Sequence, residues 1–188
     1  LRLCVDALEP VNALLKGPPG TAKTLILDEL ARLARARYAL GSSTSKAGLR
    51  DLLLDDPPRW LLFDEIGEAK PADLAALLSV METGRVTRLQ HGHREDRHVT
   101  VSVFAGANDV RRMSKPLLDR FEVLEIKEYT AEEQYAVVFD VLTRRHSFDA
   151  EYAREIAQLA VTRHRTVRGA VRLAHMAGGD RRLASELA

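Results

Sequence analysis

The chain has 188 residues, of which 46% are hydrophobic and 29% charged, and its formal net charge is +1. This balance suits one soluble globular domain, or one with a small appendage, and it gives no electrostatic pointer to nucleic acid. It holds no run of ~18 apolar residues to span a membrane and one cysteine, Cys4, which excludes an internal disulfide and sets a reducing cytoplasm as the expectation.

In chain order, residues 1–6 turn acidic too early for a signal peptide. Residues 11–16 form a short apolar run that ends at a Gly/Pro cluster, which predicts a buried strand. A loop, Gly17-Pro18-Pro19-Gly20, follows. Leu25, Leu27, Leu30, Leu33 and Ala34 sit near helical spacing and predict a helix over 24–37. Residues 38–40 read as a second strand and 47–54 as a short amphipathic helix. The apolar run 60–63 before Asp64 and Glu65 reads as a buried strand. Pro71 at a first turn and Gly84 just past an end bracket a helix over 71–83.

Residues 86–89 and 99–103 flank a polar stretch at 91–97, with Val99, Val101 and Val103 alternating. This predicts a hairpin whose second arm runs into a central strand, with Glu95 and Asp96 at the tip. Residues 123–126 supply a further strand. Strands alternating with helices imply a mostly parallel sheet, hence an α/β fold. Beyond Tyr129 only helices are expected. Thr130 with Glu133 spells a capping box for a helix to about Arg145. Asp149, Thr166 and Asp180 are placed to cap three more. The expected boundary divides an α/β domain, 1–128, from a helical lid, 129–188.

Gly17-Pro18-Pro19-Gly20-Thr21-Ala22-Lys23-Thr24 fits the pattern G-x-x-x-x-G-K-[ST] between a strand and a helix. In that setting backbone N–H groups cradle phosphates, Lys23 reaches the β- and γ-phosphates of ATP, and Thr24 holds Mg²⁺. Asp64 and Glu65 close the next buried strand, where parallel sheets bind ligands. Asp64 is the expected second Mg²⁺ residue, and Glu65 the group that polarises the attacking water. Asn108 ends another expected central strand, where an amide holds water or the γ-phosphate.

In this order the motifs resemble those of the AAA+ ATPases over nearly the whole chain. Gly17 to Thr24 matches Walker A, Leu61 to Glu65 Walker B, and Asn108 sensor 1. Leu117-Leu118-Asp119-Arg120-Phe121 looks like the arginine-finger segment, and Thr166-Val167-Arg168 like sensor 2. The resemblance implies a P-loop parallel-sheet sandwich with the P-loop strand in the middle and a small C-terminal helical lid. It also implies a homo-oligomeric, hexameric ring in which Arg120 completes the neighbouring subunit's site and Arg168 acts on its own nucleotide.

Ser45-Lys46-Ala47-Gly48-Leu49 and Met81-Glu82-Thr83-Gly84-Arg85-Val86 are similar to segments of minichromosome-maintenance helicases. The spacing from Asn108 to Arg120 resembles RuvB-type Holliday-junction motors, and the Thr-Ala-Lys-Thr ending occurs in MoxR-type chaperones. A DNA motor of helicase or branch-migration type is the first implied function. A MoxR-like chaperone with a protein substrate or adaptor is the alternative. A scaffold that binds ATP without turnover sits poorly with Glu65 and Arg120.

Arg85, Arg88, His91, His93, Arg94, Arg97 and His98 make the hairpin basic. It suits either a phosphate backbone in a ring pore or a charged edge that blocks sheet-to-sheet association. It has no aromatic residue to stack a base. The histidines have no neighbouring cysteine, so they are a weak metal signal. The chain carries 22 Arg against 6 Lys, a bias toward the side chain that makes bidentate contacts to phosphate and carboxylate. Trp60 is expected in the core, Cys4 as a small buried hydrophobe, and Arg181 with Arg182 on a solvated lid surface.

Overall fold

Three apolar runs are buried on both faces, as strands of a parallel sheet covered by helices must be. The computed structural model describes residues 9–90 and 93–188, apart from the side chains of Gln90 and His93. In it these runs are β1 (Ala13–Lys16), β3 (Trp60–Asp64) and β6 (Ser102–Ala107). With β2 (Ala36–Leu40) and β7 (Glu122–Glu125) they form one parallel sheet in the order β2-β3-β6-β1-β7. The middle strand is therefore β6, not the P-loop strand β1, which lies between β6 and β7. Both are interior and apolar, so the sequence alone does not rank them.

Alternation along the strands sorts the core into two layers. Leu14, Leu61, Phe63, Val103 and Ala105 pack against Leu49 and Leu53 of α2 (Lys46–Asp55) and Leu74 and Leu77 of α3 (Pro71–Thr83). Ala13, Leu15, Trp60, Leu62 and Phe104 pack against Leu27 of α1 (Lys23–Leu30). Each large side chain so buried contributes about 1.5–3 kcal/mol. Trp60 is in the core as expected, 5.7 Å from the Phe104 ring.

The helix expected over 24–37 is shorter, since α1 ends at Leu30. Turns carry the chain on, with Leu33 N–H bonded to Leu30 O and Ala36 N–H to Leu33 O. Arg35 then takes a left-handed φ of 61° and turns the chain into β2. Leu33 still packs on the α1 layer, so its helical spacing reflects burial on that side and not a continuous helix.

The hairpin is also redrawn. Its arms are β4 (Arg85–Gln90) and β5 (His93–His98), an antiparallel pair separate from the main sheet. Residues 99–101 connect it to β6 and bury Val99 and Val101 on the way. Glu95 and Asp96 thus lie within the second arm, opposite Arg88 and Thr87, not at the tip. Cross-strand polar pairs hold this ribbon, so no apolar alternation marks β5. The readings of Cys4, of residues 1–6 and of His91 fall outside the described residues.

The chain divides into two compact units. One holds the described residues through Pro19 and Lys23–Ile126; the other holds Gly20–Ala22 and Lys127–Ala188. In the second, α5 (Ala131–Asp140) passes into a π turn, Val141–Arg145, so the helix expected to run to Arg145 loosens in its last turn. α6 (Ala150–Thr162), α7 (Val167–Ala177) and α8 (Arg181–Leu187) follow. Thr130 and Glu133 form both bonds of the capping box, and Asp149, Thr166 and Asp180 cap the other three helices. Among the described residues no helix is long and apolar enough to cross a membrane.

Candidate functional site

β1, β3 and β6 end together, and the polar residues that follow them gather at that edge of the sheet. Gly17 leaves β1 with its N–H on Ala107 O at 3.2 Å. A Cβ there would sit 2.2 Å from the Ile126 carbonyl oxygen, so the chain passes only as glycine. Gly20 and Ala22 both adopt positive φ, 85° and 58°. Left-handed residues in a turn aim successive N–H groups to one side, the geometry of an anion nest. For Ala22 that conformation costs about 1–2 kcal/mol, a strain typical of ligand clamps.

Lys23 opens α1, and its Nζ donates to Gly17 O at 2.8 Å and Pro18 O at 2.7 Å. Burial holds the Lys23 pKa below the usual lysine range, and the nearby Asp64 charge opposes that shift. Thr24 Oγ1 donates to Asp64 Oδ2 at 2.9 Å, joining the start of α1 to the end of β3. Tyr38, from β2, donates its phenol to the same Oδ2 at 2.9 Å. The Glu65 N–H donates to Asp64 Oδ1 at 3.0 Å. Desolvation, then the bond to Asp64, raises the Tyr38 pKa well above the ordinary phenol value, so it stays a donor. Asp64 is only 7% exposed, yet both its oxygens are bonded.

Glu65 turns outward from this cluster at a left-handed φ of 52° and is exposed. Asn108 follows β6 directly and is exposed too. Beside it, a side-chain hydrogen bond from Arg111 holds the Asp109 carboxyl at about 2. One buried carboxylate next to a hydroxyl is a ligand set that suits Mg²⁺, which takes one or two carboxylates and completes its shell with other oxygens. The residues present therefore fit that ion.

Arg120 follows α4 (Lys115–Leu118), and the buried Leu117 and Phe121 anchor the segment. The Asn12 side chain donates to Arg120 O at 3.3 Å and accepts from Val103 N–H at 3.0 Å. The Arg120 guanidinium contacts Glu82 Oε1 at 2.9 Å. Arg168 lies in the first turn of α7, in the helical unit, and is exposed.

The hairpin is less cationic than its sequence suggests. Arg88 pairs with Glu95 at 2.6 Å, Asp55 at 3.2 Å and Asp51 at 3.5 Å, and Arg94 with Asp96 at 2.7 Å. Arg85 and Arg97 carry no ion pair among the described residues.

The structure thus brings Lys23, Thr24 and Asp64 together, while Glu65 joins them only through its backbone N–H. It also adds residues that sequence reasoning passed over: Tyr38, Asn12 and Glu82. Only the β2–β3 register, which pairs Leu40 with Asp64, brings Tyr38 within diagonal reach of Asp64, and a register is not written in local sequence.

The profile of the AAA domain (dynein-related subfamily) matches residues 12–121. Lon protease of Lachnoclostridium phytofermentans is 28% identical over 156 residues, covering 65% of this chain and 18% of that protein. Lon protease of Clostridium acetobutylicum is 26% identical over 151 residues, covering 65% and 19%. The chain therefore spans less than a fifth of the length of these curated relatives. Two mutant forms of Thermotoga maritima RuvB share its fold, with TM-scores of 0.65 and 0.64 at 22% and 23% identity. They match 88% of this chain and 53% and 54% of theirs.

Proposed function

The chain belongs to the AAA+ ATPase family, and from that premise we propose that it hydrolyses ATP with Mg²⁺ to drive a ring motor acting on DNA, of helicase or branch-migration type. The observation that carries the ATPase reading is the Thr24–Asp64 bond of 2.9 Å beside the turn that ends in Lys23.

In this reading the nest residues Gly17 to Ala22 bind the phosphates through backbone N–H groups. Lys23 exchanges the Gly17 and Pro18 carbonyls for phosphate oxygens and offsets charge that builds on the γ-phosphate. Thr24 and Asp64 hold Mg²⁺, which, when bound, withdraws charge from the β- and γ-phosphate oxygens. Glu65 and Asn108 orient the water whose oxygen bonds to the γ-phosphorus as the bond to the β–γ bridging oxygen breaks, giving ADP and phosphate. Arg120 acts on the neighbouring subunit's nucleotide, and Arg168 couples the nucleotide to the helical unit. Phosphoryl transfer needs little beyond such positioning and charge stabilisation, and an arginine supplied in trans makes turnover depend on assembly. A homo-oligomeric, hexameric ring in the cytoplasm is part of the proposal.

DNA is supported by the likeness of its motifs to helicase and branch-migration motors and by the exposed Arg85 and Arg97. The second reading is a chaperone that remodels protein. Two observations favour it: carboxylates neutralise Arg88 and Arg94 on the hairpin, and the curated relatives are named as proteases. ATP turnover with single-stranded, duplex and four-way-junction DNA separates them. Stimulation by any form supports the DNA motor; turnover unchanged by every form removes it and leaves protein remodelling.

A further inference from the structure

The carboxylate of Asp64 is fixed from three sides, and one of them has no place in the scheme above. β2 pairs with β3 so that Leu40 lies beside Asp64 and Tyr38 beside Leu62. Tyr38 is thus two residues back on the neighbouring strand, on the same face, a diagonal separation that a long side chain spans. The residue is 40% exposed, on the edge strand of the sheet. An exposed phenol is free to bond water, yet this one donates to Asp64 Oδ2 at 2.9 Å. On the other side lies β6, where Gly106 leaves room for the carboxylate. A Cβ built on Gly106 would meet Asp64 Oδ1 at 3.0 Å and Leu27 Cδ1 at 3.3 Å.

Thr24 also donates to Oδ2, but in the proposed site its hydroxyl oxygen has a second duty toward Mg²⁺. Among the described residues the Tyr38 hydroxyl bonds only Asp64. We propose that Tyr38 is a positioning residue for the magnesium site, fixing the Asp64 carboxylate from the edge strand so that its orientation is set before the ion arrives. The proposal rests on the nucleotide-site reading above. Groups that orient the ligands of a metal commonly change its affinity by about 10–100-fold when removed. Because Tyr38 is partly exposed, Tyr38→Phe deletes the donor and leaves the strand packing in place.

The test is Mg²⁺ titration of the affinity for a fluorescent ATP analogue, with EDTA as the zero point, on wild type and Tyr38→Phe, together with melting curves of both without metal. The expected result is a Mg²⁺ midpoint raised roughly tenfold, with unchanged metal-free affinity and an unchanged melting temperature. A purely structural role would instead lower the melting temperature or weaken binding equally with and without Mg²⁺, and either result overturns the proposal. So does an unchanged midpoint. A wild-type affinity indifferent to Mg²⁺ is a different failure, because it overturns the nucleotide-site reading itself.

Discussion

Arg120 Nη2 lies 2.9 Å from Oε1 of Glu82 on the last turn of α3, so the arginine proposed to serve a neighbouring subunit is held by a carboxylate of its own chain. Both side chains are solvent-accessible, and exposed ion pairs contribute only about 0.2–1 kcal/mol. Giving up this one on assembly is correspondingly cheap. Glu82→Gln is expected to shift the protein concentration at half-maximal ATP turnover downward, by at most about fivefold. Turnover measured across a dilution series checks this, and an upward shift would mean that Glu82 presents Arg120 to the neighbour.

Gly106→Ala places a methyl group against the Asp64 carboxylate and Leu27. Displacing the carboxylate by tenths of an ångström is expected to cut Mg²⁺-dependent turnover on the order of tenfold. Metal-free nucleotide binding should change little. Comparing affinity in EDTA and in Mg²⁺ measures the difference.

On the hairpin, Arg88 and Arg97 should separate structure from substrate. Arg88→Ala removes the shared partner of Asp51, Asp55 and Glu95, so it should lower the melting temperature more than Arg97→Ala. If DNA is the substrate, Arg97→Ala should reduce the slope of log affinity against log salt by about 1. DNA titrations at several salt concentrations read that slope.

In the helical unit His146 sits with a ring nitrogen 3.0 Å from one of His175. Burial, then the His175 and Arg145 charges, lower the His146 pKa. A lowered folded-state value means the unfolded chain takes up the proton first. The stability from His146 is therefore present above the ordinary histidine value of ~6.5 and is lost as pH falls through the lower folded value. His146→Gln should flatten that part of the melting-temperature profile, and an unchanged profile would assign the acid sensitivity elsewhere.

Much of this was legible in the sequence where local chemistry decides. The helix Pro71–Thr83 is bracketed by Pro71 and by Gly84 at a positive φ of 64°, and the N-caps at Asp149, Thr166 and Asp180 each follow from a single side chain. Lys23 and Thr24 could be read because a strand–loop–helix passage fixes their spacing, and Asp64 because it closes the apolar run of β3. What the sequence hid depends on partners distant in the chain. The arm β5 carries charges that meet counterparts across the ribbon. Tyr38 acquires its role only through the parallel register with β3, and Glu82 through a fold that spans 38 positions to Arg120.

The central claim is ATP hydrolysis completed by Glu65 within a subunit and by Arg120 between subunits. Its most direct test is steady-state ATP turnover at high protein concentration for wild type, Glu65→Gln, Arg120→Ala and an equimolar mixture of the two variants. The account predicts turnover in wild type and near-complete loss in each variant alone. It also predicts partial recovery in the mixture, where an intact Arg120 from one variant faces an intact Glu65 from the other. Turnover that survives either substitution, or a mixture no more active than its parts, would contradict it.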